Sequence, residues 1–136
     1  MYELRIFDRD ETQKRIVGNH RIVNALDKVD ASITRGPWSV CKGVFGYGEN
    51  ICLLEDETDV GDTVTVDGDE LFNLIRSEKE YFFNVCLLKH NSDIQFGLTD
   101  SAFYYVRSEN EELLRRIRTF FKHTSLKMNE NSEVQQ

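Results

Sequence analysis

Apolar and polar residues alternate with period two from Tyr2 to Phe7, which predicts an opening strand ending at Asp8. Asp10 with Gln13 three residues on predicts a short capped helix, interrupted at Gly18-Asn19. Ile22, Val23, Leu26, Val29 and Ile33 then recur at helical spacing and place a helix over residues 20–31. The only proline, in Arg35-Gly36-Pro37, closes it by fixing its own φ and steering its predecessor out of the helical region. Trp38 to Tyr47 is a β-rich stretch punctuated by Gly43, Gly46 and Gly48, and Gly48-Glu49-Asn50 reads as a turn into a short apolar strand, Ile51 to Leu54. Those two strands are expected to pair as a hairpin, followed by an acidic loop.

Thr63-Val64-Thr65-Val66 predicts another short strand, and Asp67 with Glu70 forms a capping signal for a helix reaching about Ser77, with Leu71, Phe72, Leu74 and Ile75 on its buried face. Tyr81 to Leu88 is almost continuously apolar, as in a central strand covered on both faces. His90 to Asp93 turns the chain into Ile94-Gln95-Phe96, Gly97 to Ser101 bends it again, and Ala102 to Val106 forms a further strand. Ser108-x-x-Glu111 is a capping box for a last helix whose stripe is Leu113, Leu114, Ile117, Phe120 and Phe121. Lys122 and His123 fall in its last turn and complement the dipole. From Thr124 there is no stripe to bury, so residues 124–136 read as a flexible tail and residues 1–123 as one domain. The order, with short links between strands and no strict βαβ alternation, predicts an α+β fold: a mainly antiparallel sheet covered by helices, with an amphipathic C-terminal helix.

At 136 residues, 40% of them hydrophobic, the chain suits one folded core, and it has no apolar run of the roughly 20 residues that cross a bilayer. Its N-terminus lacks the basic and apolar regions of a secretory signal, and the reading is a cytoplasmic protein without a membrane partner. Cys41, Cys52 and Cys86 have no CxxC spacing and read as small unpaired hydrophobes of a reducing compartment, while His20, His90 and His123 are too scattered to suggest a metal site.

Charge changes the picture most. No Lys or Arg lies between Gly43 and Ile75, yet that stretch holds Glu49, Glu55, Asp56, Glu57, Asp59, Asp62, Asp67, Asp69 and Glu70. Elsewhere seventeen basic residues face fifteen acidic ones, so the net charge of −7 comes from this segment. Such a field speeds encounter with a cationic partner, weakens with salt and repels nucleic acid.

The chemical motifs are weaker. Aligning Gly61 or Gly68 with the glycine of an EF-hand puts Val60, or Thr63 and Thr65, at ligand positions, and Leu74 at the place of the bidentate Glu. Gly43 to Gly48 spells GxxGxG, the reverse of the dinucleotide fingerprint, with no phosphate-loop ending. Cys86 and His90 on one strand would sit about 13 Å apart, beyond reach of each other. Asp67 with Asp69, and Glu111 with Glu112, are accounted for by capping and dipole placement. Arg115, Arg116 and Arg118 interleave with a core stripe and face nearby acids, which suits a solvated helix face rather than a nucleic-acid contact. The expectation is a binding protein and not an enzyme, with no catalytic residue, cofactor or metal.

Phe96 to Val106, followed by Ser108-Glu109-Asn110-Glu111-Glu112-Leu113-Leu114 and ending at Phe120-Phe121-Lys122, resembles the carboxyl half of small immunity proteins of bacterial polymorphic-toxin and contact-dependent inhibition systems; Pro37-Trp38-Ser39 is similar too. The resemblance implies stoichiometric binding of one cognate toxin domain, blocking its active site or its access to substrate. The acidic segment gives an independent reason to expect this, because a toxin that cuts nucleic acid carries a cationic surface. The contacts expected on a basic toxin domain are Glu55, Asp56, Glu57, Asp59 and Asp62, with Asp67 and Asp69. The alternative is an acidic mimic of nucleic acid that binds a DNA-handling or regulatory protein, for which a long regular array of carboxylates would be needed.

Overall fold

The computed structural model describes residues 1–9, 19–60, 63–77 and 79–128. Its elements, in chain order, are β1 (Tyr2–Ile6), α1 (Asn19–Val29), β2 (Pro37–Val40), β3 (Phe45–Tyr47), α2 (Glu49–Val60), β4 (Val64–Asp67), α3 (Gly68–Arg76), β5 (Tyr81–Lys89), β6 (Gln95–Thr99), β7 (Phe103–Ser108), α4 (Glu111–Arg118) and β8 (Thr124–Met128). The fold is α+β. The eight strands form one antiparallel sheet in the order β4-β2-β5-β6-β7-β1-β8, with β3 also pairing β5. The short helix expected from Asp10 lies outside the described residues.

Period-two alternation divides the sheet into two faces. Leu4, Ile6, Trp38, Val40, Val85, Leu87, Phe96, Leu98, Tyr104 and Val106 are buried and share one core with Ile22, Val23 and Leu26 of α1, Leu71, Phe72 and Ile75 of α3, and Leu113, Leu114 and Ile117 of α4. Trp38 anchors that core: its ring meets Phe72 edge-on at 5.2 Å, and its indole N–H donates to the Ile33 carbonyl at 3.1 Å. Lys89 reaches back to the turn after α1, donating to the carbonyls of Ser32, Ile33 and Arg35. Residues of the opposite parity, among them Glu3, Arg5, Ser39, Cys86, Gln95, Gly97, Tyr105 and Arg107, lie outside that core.

Several expectations need correction. Ile51–Leu54 is helical and belongs to α2, so the hairpin with residues 38–47 does not form, and β3 pairs β5 instead. Thr124–Met128 is not a frayed tail but the edge strand β8, paired with β1 from Tyr2↔Met128 to Ile6↔Thr124. Its docking rests on backbone bonds and on Leu126 against the core, and on Asp8, whose carboxylate accepts from Lys122 N and His123 N at 2.9 and 2.8 Å. That turn ends α4 at Arg118, so Lys122 and His123 lie beyond the helix.

The last helix is capped by Asn110, which accepts from Leu113 N at 3.1 Å, and not by Ser108. The Ser108 hydroxyl donates to Asp93 and accepts from Asn110 N, so the chain stays extended two residues longer than the capping box implied. Asp67 occupies the N-cap position of α3 without making a side-chain cap bond. The bend after β6 falls on Asp100 and Ser101, both at positive φ, while Gly97 lies inside the strand.

Candidate partner-binding surface

The acidic segment is a helix because of what meets its first turn. Gly48 has φ of 129°, and a Cβ there would strike the Glu80 side chain. With only hydrogen at that position, the Glu80 carboxylate accepts from Asn50 N at 2.8 Å, Ile51 N at 3.3 Å and Asn50 Nδ2 at 2.6 Å. It satisfies donors that a helix start otherwise leaves open, a cap supplied from thirty residues away. Burial raises the Glu80 pKa, but the three hydrogen bonds outweigh it and hold the carboxyl below its ordinary range. Sequence spacing gave no sign of this, because Glu80 lies outside the helix it caps.

Inside α2, Ile51 and Thr58 are buried and Leu54 packs against the core, a narrow stripe at i, i+3 and i+7. The Thr58 hydroxyl, facing inward, donates to Leu54 O and Glu55 O. Everything else on the helix faces out: Asp56, Glu57 and Asp59 are exposed, Glu55 is half-buried, and Leu53 and Val60 are exposed apolar residues.

The acids sit at the unfavourable end. A helix C-terminus carries about half a negative charge, and anions there cost roughly 0.3–1 kcal/mol each at low salt. Glu55 and Asp59, at i and i+4, add like-charge repulsion of about 0.2–0.5 kcal/mol. The last turn holds no basic residue, and none of Glu55, Asp56, Glu57 or Asp59 makes an ion pair with another described residue. Asp67 and Asp69 are exposed at the start of α3, where the dipole favours them. Asp62 lies outside the described residues.

Beside α2 stands a feature that sequence reasoning missed. Phe45 and Tyr47 of β3 and Tyr81 and Phe83 of β5 form a ladder of rings: Phe45 to Phe83 at 5.3 Å, Phe83 to Tyr81 at 5.5 Å, and Tyr81 stacked on Tyr47 at 5.4 Å. Phe45 and Tyr47 are 56% and 60% exposed, unusually high for such large rings in contact with one another. α2 packs against β3 and follows it through Gly48 alone, so ladder and acidic helix are adjoining parts of one surface. Sequence shows the aromatics, but their meeting depends on the β3–β5 pairing, Tyr47↔Tyr81, that replaces the expected hairpin.

The remaining titratable groups are arranged otherwise. On the sheet face outside the core, Glu3 is buried and accepts from Arg5 at 2.7 Å and Arg107 at 2.5 Å. Burial is the largest influence on its pKa and raises it, but the two guanidiniums together win and hold it low. Cys86 lies against Cys41, not His90, and the His90 ring instead meets Ser39 Oγ at 2.7 Å. No carboxylate contacts that ring among the described residues, so the third member of a nucleophilic triad is missing. Among the described residues no three His, Cys, Asp or Glu side chains gather as a metal site requires, and no helix is long and apolar enough to cross a membrane. The chain matches no protein-family model, and no curated protein or solved structure matches it.

Proposed function

We propose that this protein is a stoichiometric inhibitor of the immunity kind, which docks one basic toxin domain on α2 and the adjoining aromatic ladder. The observation that carries the reading is the group of acids at the C-terminal half of α2, which cost helix stability and find no cation within the described chain. A lysine- or arginine-rich partner supplies the missing charge. Glu55, Asp56, Glu57 and Asp59 then steer the encounter, with Asp67 and Asp69 widening the field. The ladder supplies anchors of the type that dominate interfaces, since large rings bury much area at little entropic cost and also attract cations over their faces.

Among the described residues the acids of this segment lie on a twelve-residue helix about 18 Å long and at the start of α3. That supports a single compact contact over imitation of a nucleic-acid backbone, which needs an extended array.

The test is capture on the tagged protein from its host at low and then high salt, followed by expression of the captured domain in cells with and without this chain. One basic domain retained in both washes, toxic alone and harmless with this chain, is the expected result. Several DNA-handling proteins lost at high salt would favour mimicry, and a captured domain that stays toxic with this chain in excess would overturn inhibition.

A further inference from the structure

Cys41 and Cys86 are forty-five positions apart in sequence, and the sheet sets them face to face. The β2–β5 register runs Trp38↔Lys89, Ser39↔Leu88, Val40↔Leu87, and Cys41 continues it by donating its N–H to the Cys86 carbonyl at 3.0 Å. Directly opposed residues that share this bond have Cα atoms about 5.5 Å apart, inside the range a disulfide spans. Both side chains are half-buried, open enough for a small oxidant.

Cys86 is held in place from its other side. It pairs with Gly97, and Gly97 pairs with Tyr105. A Cβ on Gly97 would collide with the Tyr105 ring, so glycine lets that ring lie across β6 and bring its hydroxyl to the Cys86 thiol. Arg107 covers the same ring at 4.5 Å and is itself fixed by Glu3. The thiol therefore has a built surrounding on both sides.

We propose that Cys41 and Cys86 are an oxidation site at which hydrogen peroxide closes a reversible disulfide between β2 and β5. The Cys86 thiolate attacks one peroxide oxygen, the O–O bond breaks, and the departing hydroxide takes the proton that Cys86 released, leaving a sulfenic acid and water. The Cys41 sulfur then attacks the Cys86 sulfur, the S–O bond breaks, and hydroxide leaves with the Cys41 proton as a second water. The two sulfurs together lose two electrons, and the peroxide gains them.

The order of events follows from the surroundings. The Tyr105 hydroxyl reaches the Cys86 sulfur and can donate to it when charged, whereas burial beside Cys86 pushes the Cys41 thiol up, so Cys86 attacks first and Cys41 resolves. Opposed Cβ atoms in a sheet stand about 4.5–5.5 Å apart, against roughly 3.5–4.5 Å in a disulfide, so closure draws the strands together. A half-buried bond between two strands stays within reach of a small thiol reductant, which suits a switch better than a permanent staple. This site stands independently of the partner reading.

The experiment uses Cys52→Ser, which removes the exposed thiol of α2 and leaves two. Treated with one equivalent of hydrogen peroxide, it loses both free thiols, its mass falls by two hydrogens, and a peptide map joins Cys41 to Cys86; glutathione restores both thiols. In Cys41→Ser/Cys52→Ser, Cys86 accumulates as a dimedone-trapped sulfenic acid. Two free thiols after peroxide has oxidised Cys52 of the unaltered protein, oxygen adducts without a crosslink, or crosslinks only between molecules each overturn the proposal. Resistance of the crosslink to glutathione overturns the switch.

Discussion

Replacing Glu57 and Asp59 together by Lys turns the argument about α2 into a measurement. Each exchange removes a negative charge from the end of the helix that disfavours it and places a positive one where the dipole welcomes it, for a gain of at least about 0.6 kcal/mol per site at low salt. The Glu55–Asp59 repulsion becomes a Glu55–Lys attraction in its better orientation, adding about 0.4 kcal/mol or more. Both side chains are exposed, so no core contact is lost. Allowing for screening and side-chain entropy, the double variant is expected to be more stable by about 1–2 kcal/mol. In urea unfolding, with a slope of about 2 kcal/mol/M, the midpoint rises by about 0.5–1 M without a change in slope. At 1 M salt, where the Debye length is about 3 Å, most of the gain disappears. Glu49, exposed in the first turn of the same helix, gives the opposite sign, and Glu49→Lys lowers the midpoint. A midpoint unchanged or lowered by the double substitution at low salt would refute the claim that these acids are held at a cost to the fold.

Charge reversal at Glu55, Asp56, Glu57 and Asp59 is expected to slow association with the basic partner at least tenfold at low salt, whereas reversal at Glu130 and Glu133 does not; equal slowing in stopped-flow mixing would remove the steering argument. Tyr47→Ala combined with Tyr81→Ala leaves association speed nearly unchanged and raises the dissociation rate, a loss of about 2 kcal/mol or more, readable by surface plasmon resonance. Glu3 is held below its ordinary pKa when folded, so its contribution is complete above the unfolded carboxyl range and is lost as pH falls through the folded value. Glu3→Gln therefore lowers stability by about 1–3 kcal/mol at pH 7 and flattens the acid side of the stability curve; a curve of unchanged shape would show the pair to be inert. Asn110→Ala, which removes the cap of α4, costs about 1 kcal/mol, and an unchanged urea midpoint would show that cap to be inert.

The parts of the fold legible in sequence were those whose cause is local. Ile22, Val23 and Leu26 on α1, Leu71, Phe72 and Ile75 on α3, and the run from Tyr81 to Leu88 carry their periodicity in adjacent residues, and each forms the expected element. Residues 49–60 misled because Ile51 to Leu54 is a run too short to separate strand from helix, and the group that decides, the Glu80 carboxylate, is distant in sequence. Thr124 to Met128 looked unstructured because an edge strand held by backbone bonds to β1 needs only one core residue, Leu126. For the candidate surface, the chemistry of Glu55, Asp56, Glu57 and Asp59 could be read directly, but not their helical arrangement or the aromatic ladder. Nor did spacing reveal that Cys41 faces Cys86, since that neighbourhood is a matter of strand register.

The position of β1 in the sheet sets a timetable for synthesis. β1 lies between β7 and β8, so neither of its partners exists until residues 103–128 have been translated. At about 5–20 residues per second that is a wait of roughly 5–25 s, during which the nascent chain can close β5 on β6 while both edges of β1 stand unpaired. Contacts of such long sequence separation are slow to form because the loop between them must first be closed. An emerging chain therefore depends on β8 to shield β1, and a chain cut short before Thr124 leaves β1 open as an aggregation-prone edge.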